Sequence, residues 1–194
     1  MIQIGQKPSP TFQEPLELLS DCHRRIEMFL QALILAVKQA QGGALNLQQR
    51  EGLETALRYF REAAPKHTAD EEESLFPRMR ELDPIAIQAV LEKIEALETD
   101  HETASCGHDL VERLALKWLK DNSLPANDVA LLHETLENLQ RTYSRHIGIE
   151  DNEIFPLASK VLNKEQLAEV GREMAKRRGR DFIPTWKIAG KPQH

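Results

Sequence analysis

Residues 67–77 read HTADEEESLFP and residues 146–156 read HIGIEDNEIFP, and the two segments align without a gap on His, Glu, Phe and Pro. A second match lies upstream: Asp21-Cys22-His23 stands 44 residues before His67, and Asp100-His101 stands 45 before His146. The chain is two copies of one unit, offset by about 79 residues. Solenoid repeats run to roughly 20–50 residues, so a period this long reads as a duplicated helical hairpin. Each half must bury the same pattern, which leaves few folds open.

Hydrophobic spacing places the helices. Leu16, Leu19, His23, Ile26, Leu30, Leu33 and Val37 alternate steps of three and four, a heptad seam with a histidine in one core slot. It predicts a helix over about residues 15–41, stopped by Gly42-Gly43. A second helix is expected over about 47–82, with the seam Leu53, Leu57, Phe60, Ala64, His67, Glu71 and Ser74 or Leu75, and with Pro65 and Pro77 as sites of local kinking. Asp83-Pro84 reads as the start of a third helix, carrying Ile94, Leu97, His101, Ala104, His108 and Val111. After a loop at 121–126, a fourth carries Leu132, Leu136, Leu139, Tyr143, His146, Glu150 and Glu153 or Ile154 to about residue 162. Asn163 with Gln166 resembles a capping box opening a short fifth helix. Gly179, Pro184, Gly190 and Pro192 then mark an extended tail. Aromatics at 5% agree with an all-α chain, since strands favour them. The expected fold is an up-down-up-down four-helix bundle with a short fifth C-terminal helix. Its divisions are an extension (1–14), the bundle (15–162) and a C-terminal helix with its tail (163–194).

The histidines then acquire a depth. His23, His67, His101 and His146 each lie some 15–21 residues from the neighbouring turn, so at 1.5 Å per residue their levels differ by only about 3 Å across each connection. All four occupy inward slots. Glu71 and Glu150 each follow a histidine by four residues, one turn along on the same face. Two carboxylates in a bundle core cost several kcal/mol unless paired or metal-bound. No Lys or Arg shares these seam slots, and a buried imidazole tends to be neutral. Two divalent cations would satisfy the layer, each with two imidazoles and a share of the carboxylates. This donor set suits iron best, with manganese and zinc as competitors, and helix bundles build dinuclear sites in this way.

With these residues in place, the chain resembles the hemerythrin-like HHE cation-binding domain over roughly residues 12–160, and GREMAKRRG resembles an extension often found after that domain. The resemblance implies a centre of two non-haem irons joined by an oxo or hydroxo group, bridged by Glu71 and Glu150. His23, His67 and Glu71 would be the ligands of the first half, and His101, His146 and Glu150 those of the second. It also implies the family's chemistry: O2 binding, NO, oxygen or iron sensing, iron–sulfur repair and peroxide-linked activity. Oxygen carriers of the family have a fifth histidine where this chain has Leu97, so the resemblance is to the four-His, two-Glu branch. Only about 14 residues precede the first helix, without the cysteine segment usual in the repair proteins.

Other residues are weaker candidates. Tyr143, one turn before His146, could hydrogen-bond a metal-bound ligand or simply pack with its hydroxyl satisfied. His108 is too far along the helix to share the metals and reads as a core histidine or a proton relay. His133 reads as a surface residue and His194 as the chain end. Cys22 and Cys106 read as unreactive thiols. Glu72, Glu73, Asp151 and Glu153 could back the ligand histidines; these acids, with Asp70, otherwise read as solvated faces. Lys176-Arg177-Arg178-Gly179-Arg180 reads as a solvated last turn complementing the helix C-terminus, or as a contact for an anionic partner.

The expected function is handling of O2, NO or peroxide at the iron pair. The alternatives are oxidase- or peroxidase-like turnover or iron–sulfur-repair-type activity there, iron storage or sensing, and a plain interaction bundle. A formal charge of −6 argues against nucleic acid. No apolar run approaches the ~18–20 residues of a membrane span, and the N-terminus lacks a signal-peptide core. Two cysteines in 194 residues suggest a reducing compartment, hence a cytoplasmic protein. Oligomeric state is left open.

Overall fold

The structure, a computed structural model, describes residues 10–82 and 84–182. The Asp83 cap, His194 and most of the expected tail lie outside the described residues. Helix α1 spans Pro15–Ala40. A second rod is assembled from α2 (Leu47–Glu62), α3 (Ala64–Asp70), a π-helical turn π1 (Glu71–Leu75) and α4 (Phe76–Arg80). The third rod is the single long helix α5 (Pro84–Asp121). The fourth joins α6 (Ala126–Ile149), a second π turn π2 (Glu150–Ile154) and α7 (Phe155–Val161), and α8 (Lys164–Arg177) follows. Among the described residues there is no strand, and no helix is long and apolar enough to cross a membrane.

Cross-links between rods establish their directions. Cys22 meets Tyr59 and Gln39 meets Gln49. Arg50 reaches the Leu119 carbonyl, whereas Arg80 pairs with Glu98. Lys117 pairs with Asp128, whereas Lys93 pairs with Glu153. Ser20 meets Asp151, whereas Lys38 meets Glu137. Numbers run oppositely in every pair, so four antiparallel neighbours close a ring, as the short connections require.

Local chemistry explains the boundaries. α1 stops at Ala40 because Gln41 turns left-handed (φ 46°), followed by Gly42 at φ 78°. A side chain on Gly42 would meet the Leu124 carbonyl at 2.4 Å, so glycine permits both the turn and the contact with the α5–α6 loop. Reciprocal side-chain and backbone bonds cap α2 through Asn46 and Gln49, and α8 through Asn163 and Gln166.

The expected continuous helix over 47–82 is interrupted. It breaks at Ala63, so that Pro65 falls in the first turn of a new helix, where its missing N–H costs nothing. It then widens at π1, where the Phe76 N–H bonds the Glu71 carbonyl five residues back. Pro77 supplies the reason: in an α-helix its ring would press on the carbonyl of Glu73, and an extra residue in the turn relieves that contact. The fourth rod repeats the device, with Phe155 bonding to Glu150 ahead of Pro156.

Two apolar clusters fill the ring. One contains Ile26, Leu30, Phe60, Ala104, Trp118 and Leu136; the other contains Leu19, Phe76, Met79, Leu97, Ile154 and Met174. Each fully buried large side chain contributes about 1.5–3 kcal/mol. Along α1 the boundary between clusters falls between Leu19 and Ile26, and along α5 between Leu97 and Ala104. Helix α8 completes the second cluster through Val170 and Met174. It also touches the segment before α1 so closely that a Cβ on Gly171 would lie 1.9 Å from the Phe12 carbonyl oxygen.

Candidate metal centre

The layer between the two apolar clusters is polar. His23, His67, His146, Glu71 and Glu150 are buried there, and the His101 side chain is 7% exposed. His23 and His67 meet edge to face with ring centroids 4.9 Å apart; His101 and His146 are 4.6 Å apart. The six side chains singled out by the repeat therefore converge, drawn from all four rods.

Their atoms form two overlapping groups. His23, His67, Glu71 and Glu150 offer ligand atoms within 4.8 Å of one another, and so do Glu71, His101, His146 and Glu150. Both carboxylates belong to both groups. His23 Nε2 lies 3.1 Å from Glu150 and 3.8 Å from Glu71; His67 Nε2 lies 3.4 Å and His101 Nε2 3.5 Å from Glu71; His146 Nε2 lies 3.1 Å from Glu150. Both oxygens of each glutamate and the His23 Nε2 are nevertheless buried without a hydrogen-bond partner. Such groups are expensive to leave unsatisfied. Convergent lone pairs on four imidazoles and on two carboxylates common to both groups suit a pair of cations, so the residues fit the implied metals.

Without cations the layer is electrostatically divided. Burial and the Glu150 charge push the Glu71 carboxyl well above its usual range. Glu150 is also burdened by burial, but His146 and His23 hold it below that range. Burial opposes charge on His23, yet Asp151, Glu150 and Glu71 overcome it and raise its pKa far above the ordinary value. The expectation that buried imidazoles stay neutral therefore fails for His23. It holds for His67 and His101, both lowered chiefly by burial.

Carboxylates also back the rings. His23 Nδ1 lies 3.0 Å from Asp151 Oδ1, which accepts from Ser20 Oγ at 2.6 Å. His101 Nδ1 lies 2.8 Å from Glu72 Oε1, whereas Asp100 Oδ2, 3.6 Å from His146 Nδ1, is too far to accept a hydrogen bond and is engaged by Arg145 through its other oxygen. An Nδ1–H held by a carboxylate turns Nε2 inward with its lone pair free. Asp151 and Glu72 each follow a layer glutamate by one residue, and each backs a histidine of the opposite half. Glu73 and Glu153 do not join the layer; they pair with Arg177 and Lys93. Ser20 was missed in the sequence reading. Asp151→Asn and Glu72→Gln should each weaken metal binding about 10–100-fold in a chelator-competition titration, with helicity unchanged. Unaltered affinity in both would remove these acids from the site.

Leu97 is fully buried in the second cluster. Tyr143 is buried, with its ring centroid 6.3 Å from that of His146, and its hydroxyl lies 2.9 Å from His108 Nε2. Burial, then the charges of Glu71 and Glu150, raise the phenol's pKa. His133 sits beside Glu137, Cys22 is buried and Cys106 is exposed.

The basic segment is not a solvated last turn. Arg177 bonds the Asp70 carboxylate at 3.0 Å and the Ser74 hydroxyl at 2.8 Å, and Arg178 pairs with Asp70 at 2.7 Å. Asp70 is fully buried rather than on a solvated face. The correction follows from the docking of α8 against α3 and π1, which places two guanidiniums where the acid needs them.

Comparison with known proteins matches residues 14–158 to the model of the Hemerythrin HHE cation binding domain. An uncharacterized protein of Haemophilus influenzae is 27% identical over 168 residues, covering 87% of this chain and 92% of the relative.

Proposed function

The chain belongs to the hemerythrin HHE cation-binding domain family, and from that premise we propose that its buried layer holds two iron ions and uses them to bind and handle a small ligand: O2, NO or peroxide. His23 and His67 would hold one ion and His101 and His146 the other, with Glu71 and Glu150 available to both. The observation that carries this reading is the pair of overlapping four-residue groups sharing both carboxylates. Imidazole with carboxylate is a donor set iron accepts, with zinc and manganese as rivals. When bound, an iron pair supplies redox-active ions with coordination positions for a diatomic molecule or peroxide. The chain's own residues supply the rest: two apolar clusters exclude water on either side, and Asp151 and Glu72 orient the His23 and His101 rings.

A closed structural site would need no approach from outside. Here a cavity of about 300 Å³ reaches His101, which favours a ligand-handling centre.

The test is metal analysis of freshly purified protein together with its visible spectrum. About two irons per chain and a ligand-to-iron charge-transfer band that changes on exposure to NO or peroxide are expected. A single tightly held zinc with no absorption in the visible would overturn the proposal.

A further inference from the structure

The cavity that reaches His101 lies between α2–α3 and α5. Leu57, Phe60, Ala64 and Val111 form the apolar part of its lining, Arg61, Asp109 and Glu112 a charged part, and His101, His108 and Tyr143 line it as well. His108 is clamped there: the Phe60 ring stacks on it at 4.3 Å and 23°, and Nε2 faces the Tyr143 hydroxyl at 2.9 Å. Its other nitrogen, Nδ1, is buried with no hydrogen-bond partner among the described residues. Burial keeps this imidazole neutral, with its pKa lowered to about 4, so the ring carries one N–H.

That single proton has two possible seats. On Nδ1 it would be a buried donor without an acceptor. On Nε2 it is satisfied by the tyrosine oxygen, and only a lone pair is left over on Nδ1. Orphaned buried donors are rarer than under-used acceptors, which favours the second arrangement. The Nε2–H then donates to Tyr143, and the phenol's own proton is turned away from His108. We propose that this cavity is the chamber in which the centre's ligand sits, and that Tyr143, oriented by His108, donates its O–H to that ligand. The ligand class is a small molecule, O2, NO or peroxide, with an acceptor atom remote from the metal. His108 is a positioning residue that acts through Tyr143. The inference rests on the metal-binding reading above.

Two measurements test it. In the full-length protein, nitrogen-15 NMR of His108 should show the Nε2-protonated tautomer; an Nδ1-protonated ring overturns the proposal. In the iron-loaded protein, Tyr143→Phe should keep the wild-type iron content and release nitric oxide about 3–10-fold faster, the weight of one hydrogen bond. His108→Ala should change release in the same direction, and the double variant should release no faster than Tyr143→Phe alone. Release from Tyr143→Phe at the wild-type rate, with iron intact, overturns this inference alone. A wild-type chain that takes up no iron or no nitric oxide overturns the proposed function and the inference with it.

Discussion

Removing metal from the purified protein with a chelator should lower its melting temperature by about 10–20 °C, and returning ferrous iron under anaerobic conditions should restore it. A ligand bound only to the folded chain stabilises it by about 2.7 kcal/mol when present at 100 times its dissociation constant. Two such sites give about 5 kcal/mol, and each kcal/mol moves the midpoint of a domain this size by about 2–4 °C. Glu71→Gln should reverse the order of stabilities. With iron present the variant should be the less stable protein, because a carboxylate common to both groups is lost. In chelator it should match or exceed the wild type, because the amide replaces a carboxyl that burial and Glu150 already disfavour as an anion. The sign of the pH response follows. The raised folded-state pKa of Glu71 makes the metal-free wild type lose stability as pH rises from the ordinary carboxylate range through that folded value. Glu71→Gln should lose this component. Scanning calorimetry with and without chelator reads all four states. A wild-type metal-induced shift preserved in Glu71→Gln would sink the shared role of Glu71.

Replacing Arg177 and Arg178 together with alanine should cost about 3–5 kcal/mol, the loss expected when a buried charge is stripped of its partners. Asp70 is fully buried and its only guanidinium partners among the described residues are these two. Burial already raises its pKa, and Arg178 and Arg177 oppose that rise. Either single substitution should cost less than half as much, since the other arginine remains. Adding Asp70→Asn to the double variant should recover much of the loss. Urea unfolding of the wild type, the two single variants, the double and the triple measures these differences. A double variant within about 0.5 kcal/mol of wild type, the range of ordinary surface changes, would show that the ion pairs are ornamental.

Much of this architecture was legible because the repeat and the seams are local signals of high redundancy. The histidine layer needed only the positions of four histidines relative to three turns, and Asn163 announced α8 through its glutamine three residues on. The π turns were not legible. Asp70, Glu71, Ser74, Leu75 and Phe76 are all fully buried and only Glu72 and Glu73 interrupt them, too short a polar stretch from which to read a one-residue change of phase. The basic segment was misread for another reason: Arg177 and Asp70 are separated by 107 residues, and charge alone does not name its partner at that distance. Asp151 and Glu72 were visible as candidates, but their cross-half pairing with His23 and His101 requires the antiparallel ring.

The two π turns also carry a history. Each begins on the layer glutamate and ends just before Phe-Pro, at equivalent places in both copies. One insertion in a single ancestral hairpin, inherited when that hairpin doubled, accounts for both. What came afterward differs. Asp70 and Ser74 of the first copy correspond to Ile149 and Glu153 of the second, and only the first pair meets arginines from α8. Helix α8 thus makes the two copies unequal, tying the first through a buried ion pair for which the second, with Ile149 in the place of Asp70, has no counterpart.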